Sequence, residues 1–135
     1  MAESLYHKKL VELVVGRAKK LVPERKQGMI LVDSDVTPLP TSIYGGVCPD
    51  VYYCDGDIMV LGEAKTFKDI DKRHSIHQYE KYIATIEAFE GLGYFILCVH
   101  WDCFLYAQKI MKNLLPKSKI GKYIIVSENG RDVIL

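Results

Sequence analysis

From about Glu3 to Val22, apolar residues recur at helical spacing, with Leu10, Val11, Val14, Ala18 and Leu21 on one stripe and Lys8, Glu12, Gly16 and Lys19 opposite. Pro23 closes this helix, because proline cannot continue a hydrogen-bonded turn. Met29 to Val32 is a short apolar run suited to a strand. The stretch Asp33 to Gly46, with Pro38, Pro40 and Gly45-Gly46, reads as a loop that could lie over a site. Two strand-like runs then flank Asp55-Gly56. A second helix is expected from about Asp69 to Glu90 on a stripe of Ile76, Tyr79, Ile83 and Ile86, ended by Gly91 and Gly93. Tyr94 to Val99 has the continuous apolar pattern of a strand buried on both faces. A helix from about Phe104 to Leu115, stopped by Pro116, and a strand at Tyr123 to Val126 complete the chain.

The hairpin carries the chemistry. Asp55-Gly56 between aromatic and β-branched runs is a strong signal for a two-residue type I′ turn. Such a turn pairs Cys54 with Asp57, Tyr52 with Met59 and Asp50 with Leu61, and sets Asp50 diagonal to Glu63 at roughly 7–8 Å. Side chains alternate faces, so Asp50, Tyr52, Met59, Leu61, Glu63 and Lys65 share one. In many amphipathic strands a Glu-x-Lys merely wets a polar face, but here Met59 and Leu61 occupy the same row. Charged groups at the end of an apolar row need partners or a metal ion. A hard cation bridging Asp50 and Glu63, with the Lys65 ammonium beside it, is the layout of a phosphodiester-cleaving site. Both positive charges would stabilise the scissile phosphate, with water as nucleophile.

Pro49-Asp50 followed by Glu63-Ala64-Lys65 resembles the signature of the PD-(D/E)XK nuclease superfamily. Gln78 and Tyr82, in Gln-Tyr-Glu-Lys-Tyr, are similar to the Gln-x-x-x-Tyr motif of its RecB-like and lambda-exonuclease-like branch. One helical turn separates the two residues, so they share a face. The resemblance implies an α/β fold with a restriction-endonuclease-like αβββαβ core, to which this chain adds a C-terminal helix and strand. It implies a divalent-metal-dependent nuclease, endo- or exonucleolytic, using Mg²⁺ or Mn²⁺ on DNA in preference to RNA. Asp50, Glu63 and the Ala64 carbonyl would hold the cation, Lys65 would stabilise the transition state, and Gln78 and Tyr82 would support it. Many members add an acidic residue from the first helix; Glu3 and Glu12 are the candidates here, and neither is assigned. The alternative is a catalytically inactive nuclease-like module that binds nucleic acid or docks onto a larger complex.

Composition adjusts this picture modestly. A chain of 135 residues, 49% hydrophobic and 26% charged, is expected to form one domain. The net charge of +1 argues against a uniformly basic surface, so phosphate contacts should be local. Lys68, Lys72, Arg73, His74 and His77, directly after the Glu-x-Lys strand, are the first choice for them. Cys48, Cys54, Cys98 and Cys103 lack zinc-site spacing and read as reduced thiols, and His7 and His100 show no ligand spacing. With no apolar run of membrane-spanning length and no signal-like start, the expected location is cytoplasmic. Cutting both strands of a duplex would require a homodimer or successive nicks.

Overall fold

The computed structural model describes residues 4–33 and 46–135. The first helix, α1 (Leu5–Lys19), starts where the Ser4 hydroxyl accepts the His7 backbone N–H at 3.0 Å. It ends with Arg17 and Lys19 in the last turn, where cations favour the helix dipole. After a 3₁₀ turn at Glu24–Met29, which the hydrophobic pattern does not announce, come β1 (Leu31–Val32), β2 (Val51–Cys54) and β3 (Ile58–Lys65). Then follow α2 (Arg73–Ala88), β4 (Leu92–Val99), a 3₁₀ turn at Trp101–Cys103, α3 (Phe104–Leu114), β5 (Lys122–Ser127) and β6 (Asp132–Ile134).

The strands form one six-stranded mixed sheet in the order β1-β2-β3-β4-β5-β6. The first three are antiparallel, β3, β4 and β5 are parallel, and β6 returns antiparallel. Parallel neighbours need long crossovers, and α2 and α3 provide them. Both cover one face, packing on Leu61, Phe95, Leu97 and Val99, while α1 covers the other, packing on Val51, Val60, Ile96 and Cys98. The architecture is therefore α/β, with helices on both sides of a mixed sheet. Among the described residues no helix is long and apolar enough to cross a membrane.

Three sequence expectations are corrected. The hairpin register is Cys54↔Met59, Tyr53↔Val60, Tyr52↔Leu61 and Val51↔Gly62, two residues away from the type I′ pairing. Gly56 does not adopt a positive φ, which a type I′ turn requires. The Asp55 carboxylate organises the turn instead, accepting the backbone N–H groups of Asp57 at 2.7 Å and Ile58 at 2.8 Å. A hydrogen bond from the Tyr53 hydroxyl, and those two backbone donors, hold its pKa well below the usual carboxylate range. Second, α2 begins at Arg73 rather than Asp69, because the chain from Thr66 to Lys72 first makes hydrogen-bonded turns, with Asp69 N–H on the Thr66 carbonyl and Lys72 N–H on that of Asp69. It also ends at Ala88, before the two glycines; Gly93 lies inside β4, beneath Ile86. Third, β6 is an added edge strand, formed because Gly130, at φ +88°, turns the chain back after β5.

Gly62 shows why a glycine sits in the middle of β3. A Cβ there would lie 2.3 Å from Val14 Cγ1 and 3.2 Å from Val51 Cβ, so the close approach is that of α1 to the sheet. Val14 is fully buried and its branched side chain is stiff on a helix, so it has nowhere to yield. Gly62→Ala is expected to lower unfolding stability by about 1–3 kcal/mol through overpacking. Urea denaturation checks this, and a variant as stable as the parent would contradict the packing account.

Candidate active site

Strand β3 ends in Glu63, Ala64 and Lys65, and alternation sends Glu63 and Lys65 to the α2 side of the sheet, continuing the row of Met59 and Leu61. Both are buried, Glu63 4% and Lys65 7% exposed, with Lys65 Nζ 3.4 Å from Glu63 Oε2. From α2 above, Tyr82 donates its hydroxyl proton to Glu63 Oε1 at 2.8 Å, and Lys65 donates to Gln78 Oε1. The match is geometric. Four residues of helix advance about 6 Å and two residues of strand about 6.6 Å, so residues spaced four apart on α2 can each engage one of two residues spaced two apart on β3.

One step beyond the Val51↔Gly62 pair, the hairpin register brings Asp50 alongside Glu63 rather than diagonal to it. Asp50 Oδ2 accepts the Ala64 backbone N–H at 2.9 Å, which fixes the carboxylate against the end of β3. Asp50, Glu63, Lys65, Gln78 and Tyr82 thus stand together. Among the described residues, no buried side-chain nitrogen or oxygen lacks a hydrogen-bond partner.

Burial first, and the Asp50 carboxylate second, push Glu63 from an ordinary 4.5 up to about 8, against the opposing pull of Lys65 and the Tyr82 hydrogen bond. The same negative field reaches its neighbours. Burial together with the carboxylates of Asp33, Glu63 and Asp50 raises the Cys48 thiol, and burial and Glu63 raise the Tyr82 phenol. Glu63 is therefore a carboxyl group that stays protonated at neutral pH unless more positive charge arrives.

His7 belongs to this cluster and was given no role from the sequence. Its Nε2 lies 3.2 Å from the Ala64 carbonyl oxygen and 3.4 Å from Asp50 Oδ2. A carbonyl only accepts, so Nε2 carries the hydrogen in this arrangement. The signal was its spacing: His7 falls three, four and seven residues before the buried Leu10, Val11 and Val14, on the face of α1 that packs on the sheet. The Cys48 carbonyl, 3.2 Å from the Tyr82 hydroxyl, was likewise unforeseen.

The other candidates lie elsewhere. Lys68, Lys72, Arg73, His74 and His77 are exposed on the loop after β3 and the first turns of α2, with Lys72 paired to Asp69 at 2.8 Å. Glu12 lines a cleft between α1 and the β5–β6 turn, alongside Arg17, Lys20 and Asp132. Glu3 and most of the proline-rich loop lie outside the described residues. Among the described residues no set of three or more His, Cys, Asp or Glu side chains forms a metal-holding group by itself. The site offers two adjacent carboxylates and a carbonyl, which are hard oxygen donors. Comparison of the chain with protein-family models, with curated proteins and with solved structures gave no match.

Proposed function

We propose that this chain is a divalent-metal-dependent nuclease of the PD-(D/E)XK type, acting on DNA. The observation that carries the reading is the buried Glu63–Lys65 pair at the end of β3, each member held by one residue of α2, with Asp50 immediately beside it. Burying the Lys65 ammonium beside a carboxyl group that burial keeps protonated costs several kcal/mol, and apolar residues of similar size would serve stability as well or better. A site that retains the pair is organised for chemistry. The helix, three strands, helix and strand that open the chain, in this sheet order, support the restriction-endonuclease-like assignment.

The donors fit Mg²⁺ or Mn²⁺. Mg²⁺ is commonly held by one or two carboxylates plus substrate phosphate, keeping several waters, so a third acidic side chain is not required. Asp50, Glu63 and the Ala64 carbonyl would hold it, and His7 is a further donor once Nε2 gives up its hydrogen. When bound, the cation would polarise the scissile phosphate and make water a better nucleophile. Lys65, fixed by Gln78, sets a positive charge where the phosphate gains negative charge. Tyr82 holds one oxygen of Glu63, which leaves the other towards Lys65. The exposed Lys68, Arg73 and His74 stand where a substrate backbone passes the rim, with Lys72 and His77 beside them.

Incubation with supercoiled plasmid is the direct test. Nicking or linearisation is expected with Mg²⁺ or Mn²⁺ and not with EDTA. Asp50→Asn should reduce it by at least about 10²-fold, the scale of losing one group that stabilises transition-state charge. Metal-independent cleavage, or none on linear, circular, single-stranded or junction DNA, would overturn the proposal. The second of these results would favour a binding module.

A further inference from the structure

Phe67 and Trp101 lie just beyond the carboxyl ends of β3 and β4, next to the strand end that carries Lys65, and both are largely exposed. Lys65 and Val99 are paired residues at the carboxyl ends of β3 and β4, and Phe67 and Trp101 each follow their own member of the pair by two positions. They therefore emerge from adjacent strands at the edge where Lys65 ends its row. They are 64% and 53% exposed, although tryptophan is usually largely covered. Trp101 is nonetheless held in place. Its backbone N–H reaches Glu128 Oε1 at 3.4 Å, and its ring lies 5.4 Å from that of His100, which is itself hydrogen-bonded to Asp102 and 3.2 Å from Glu128. The exposed Tyr106 donates to Asp71 at 2.8 Å, tying α3 to the loop that carries Phe67.

The charge around these rings points to one occupant. The acids of the two segments are engaged within the protein: Asp69 by Lys72 and Thr66, Asp71 by Tyr106, Asp102 by His100. Lys68 and Arg73 are exposed and, among the described residues, in no ion pair. Exposed aromatic faces beside uncommitted cations are what proteins use to hold unpaired bases while tracking the backbone. A duplex presents phosphates to such a rim but hides the faces of its bases.

We infer that Phe67 and Trp101 form a stacking platform for unpaired bases, so that the substrate carries a single-stranded segment beside the point of cleavage. The inference rests on the nuclease reading for its substrate role, while the stacking can be measured without any cleavage. Trp101 is the one tryptophan of the chain, so its emission reports on this spot. In EDTA, dT16 or U16 is expected to quench that emission and a blunt 16-base-pair duplex to quench it much less. The dT16-to-U16 affinity ratio tells whether the strand is DNA or RNA. By anisotropy of labelled dT16 or U16, whichever binds more tightly, Trp101→Ala should weaken binding about 5- to 150-fold, the range that stacking of one base represents. Trp101→Phe should restore most of it, and Phe67→Ala should weaken it with circular dichroism unchanged. Absence of quenching by both oligonucleotides, or equal affinity of Trp101→Ala, would overturn the inference even if the protein cuts plasmid. So would a rim that only mediates self-association relieved by Trp101→Ala. Quenching by these oligonucleotides, with no cleavage of linear, circular, single-stranded or junction DNA in Mg²⁺ or Mn²⁺, would uphold the platform and refute the nuclease reading instead.

Discussion

Lys65→Met is expected to lower metal-dependent cleavage by at least about 10²–10³-fold while leaving the protein as stable as the parent or more so. The two effects have one cause. Lys65 is buried against Glu63 and Gln78, and at neutral pH Glu63 is held in its protonated form, so the ammonium lacks a fully charged partner there. Methionine keeps the stem volume and removes the buried charge, and no carboxylate is stranded by its loss. A structural salt bridge would behave in the opposite way, because breaking a buried pair typically costs about 3–5 kcal/mol. Gain or retention of stability with loss of activity marks a residue kept for chemistry. The measurements are plasmid cleavage with Mg²⁺ and urea midpoints on the same samples. A variant that cuts as well as the parent removes Lys65 from the mechanism, and one that loses stability along with activity makes the pair structural.

The layout around Lys65 could be read in the sequence because it depends on parity more than on distance. The hairpin register was misjudged by two residues, since nothing in Asp55-Gly56 reveals that the Asp55 side chain replaces a backbone turn. A shift of two leaves every side chain on its own face, whereas a shift of one would have turned Glu63 and Lys65 towards α1. The observed register puts Asp50 alongside Glu63 instead of diagonal to it and keeps the same side chains on the same face. Gln78 and Tyr82 were legible for the same reason, as two positions of one helical face. For His7 the spacing shows only that it faces the sheet; its partners, a carbonyl and a carboxylate more than forty residues away, are encoded by no local pattern. The boundaries of α2 failed for a related reason. The turns between Thr66 and Lys72 are held by hydrogen bonds of Thr66, Asp69 and Ser75, which hydrophobic periodicity does not register.

The buried Glu63 carboxyl should set the pH dependence of the metal-free protein. Its folded value is raised from an ordinary 4.5 to about 8, so between those limits the native state keeps a proton that the unfolded chain releases. Stability then falls as pH climbs from about 5 to about 8, by up to about 1.4 kcal/mol per pH unit for one whole proton, and levels off above. Denaturation profiles of the parent and of Glu63→Gln in EDTA isolate this contribution, since the other titrating groups cancel in the difference. The variant is expected to gain on the parent steadily across that window. A bound divalent cation reverses the sign, because it requires the carboxylate and displaces the proton. Mg²⁺ should therefore stabilise the parent more at pH 8 than at pH 6. Calorimetry in buffers of different ionisation enthalpy should show up to about one proton released per cation near pH 7. Glu63→Gln should lose both the release and the stabilisation. Parallel denaturation profiles for the two proteins would mean that Glu63 is already charged without a metal, and cation binding would then release no proton from it.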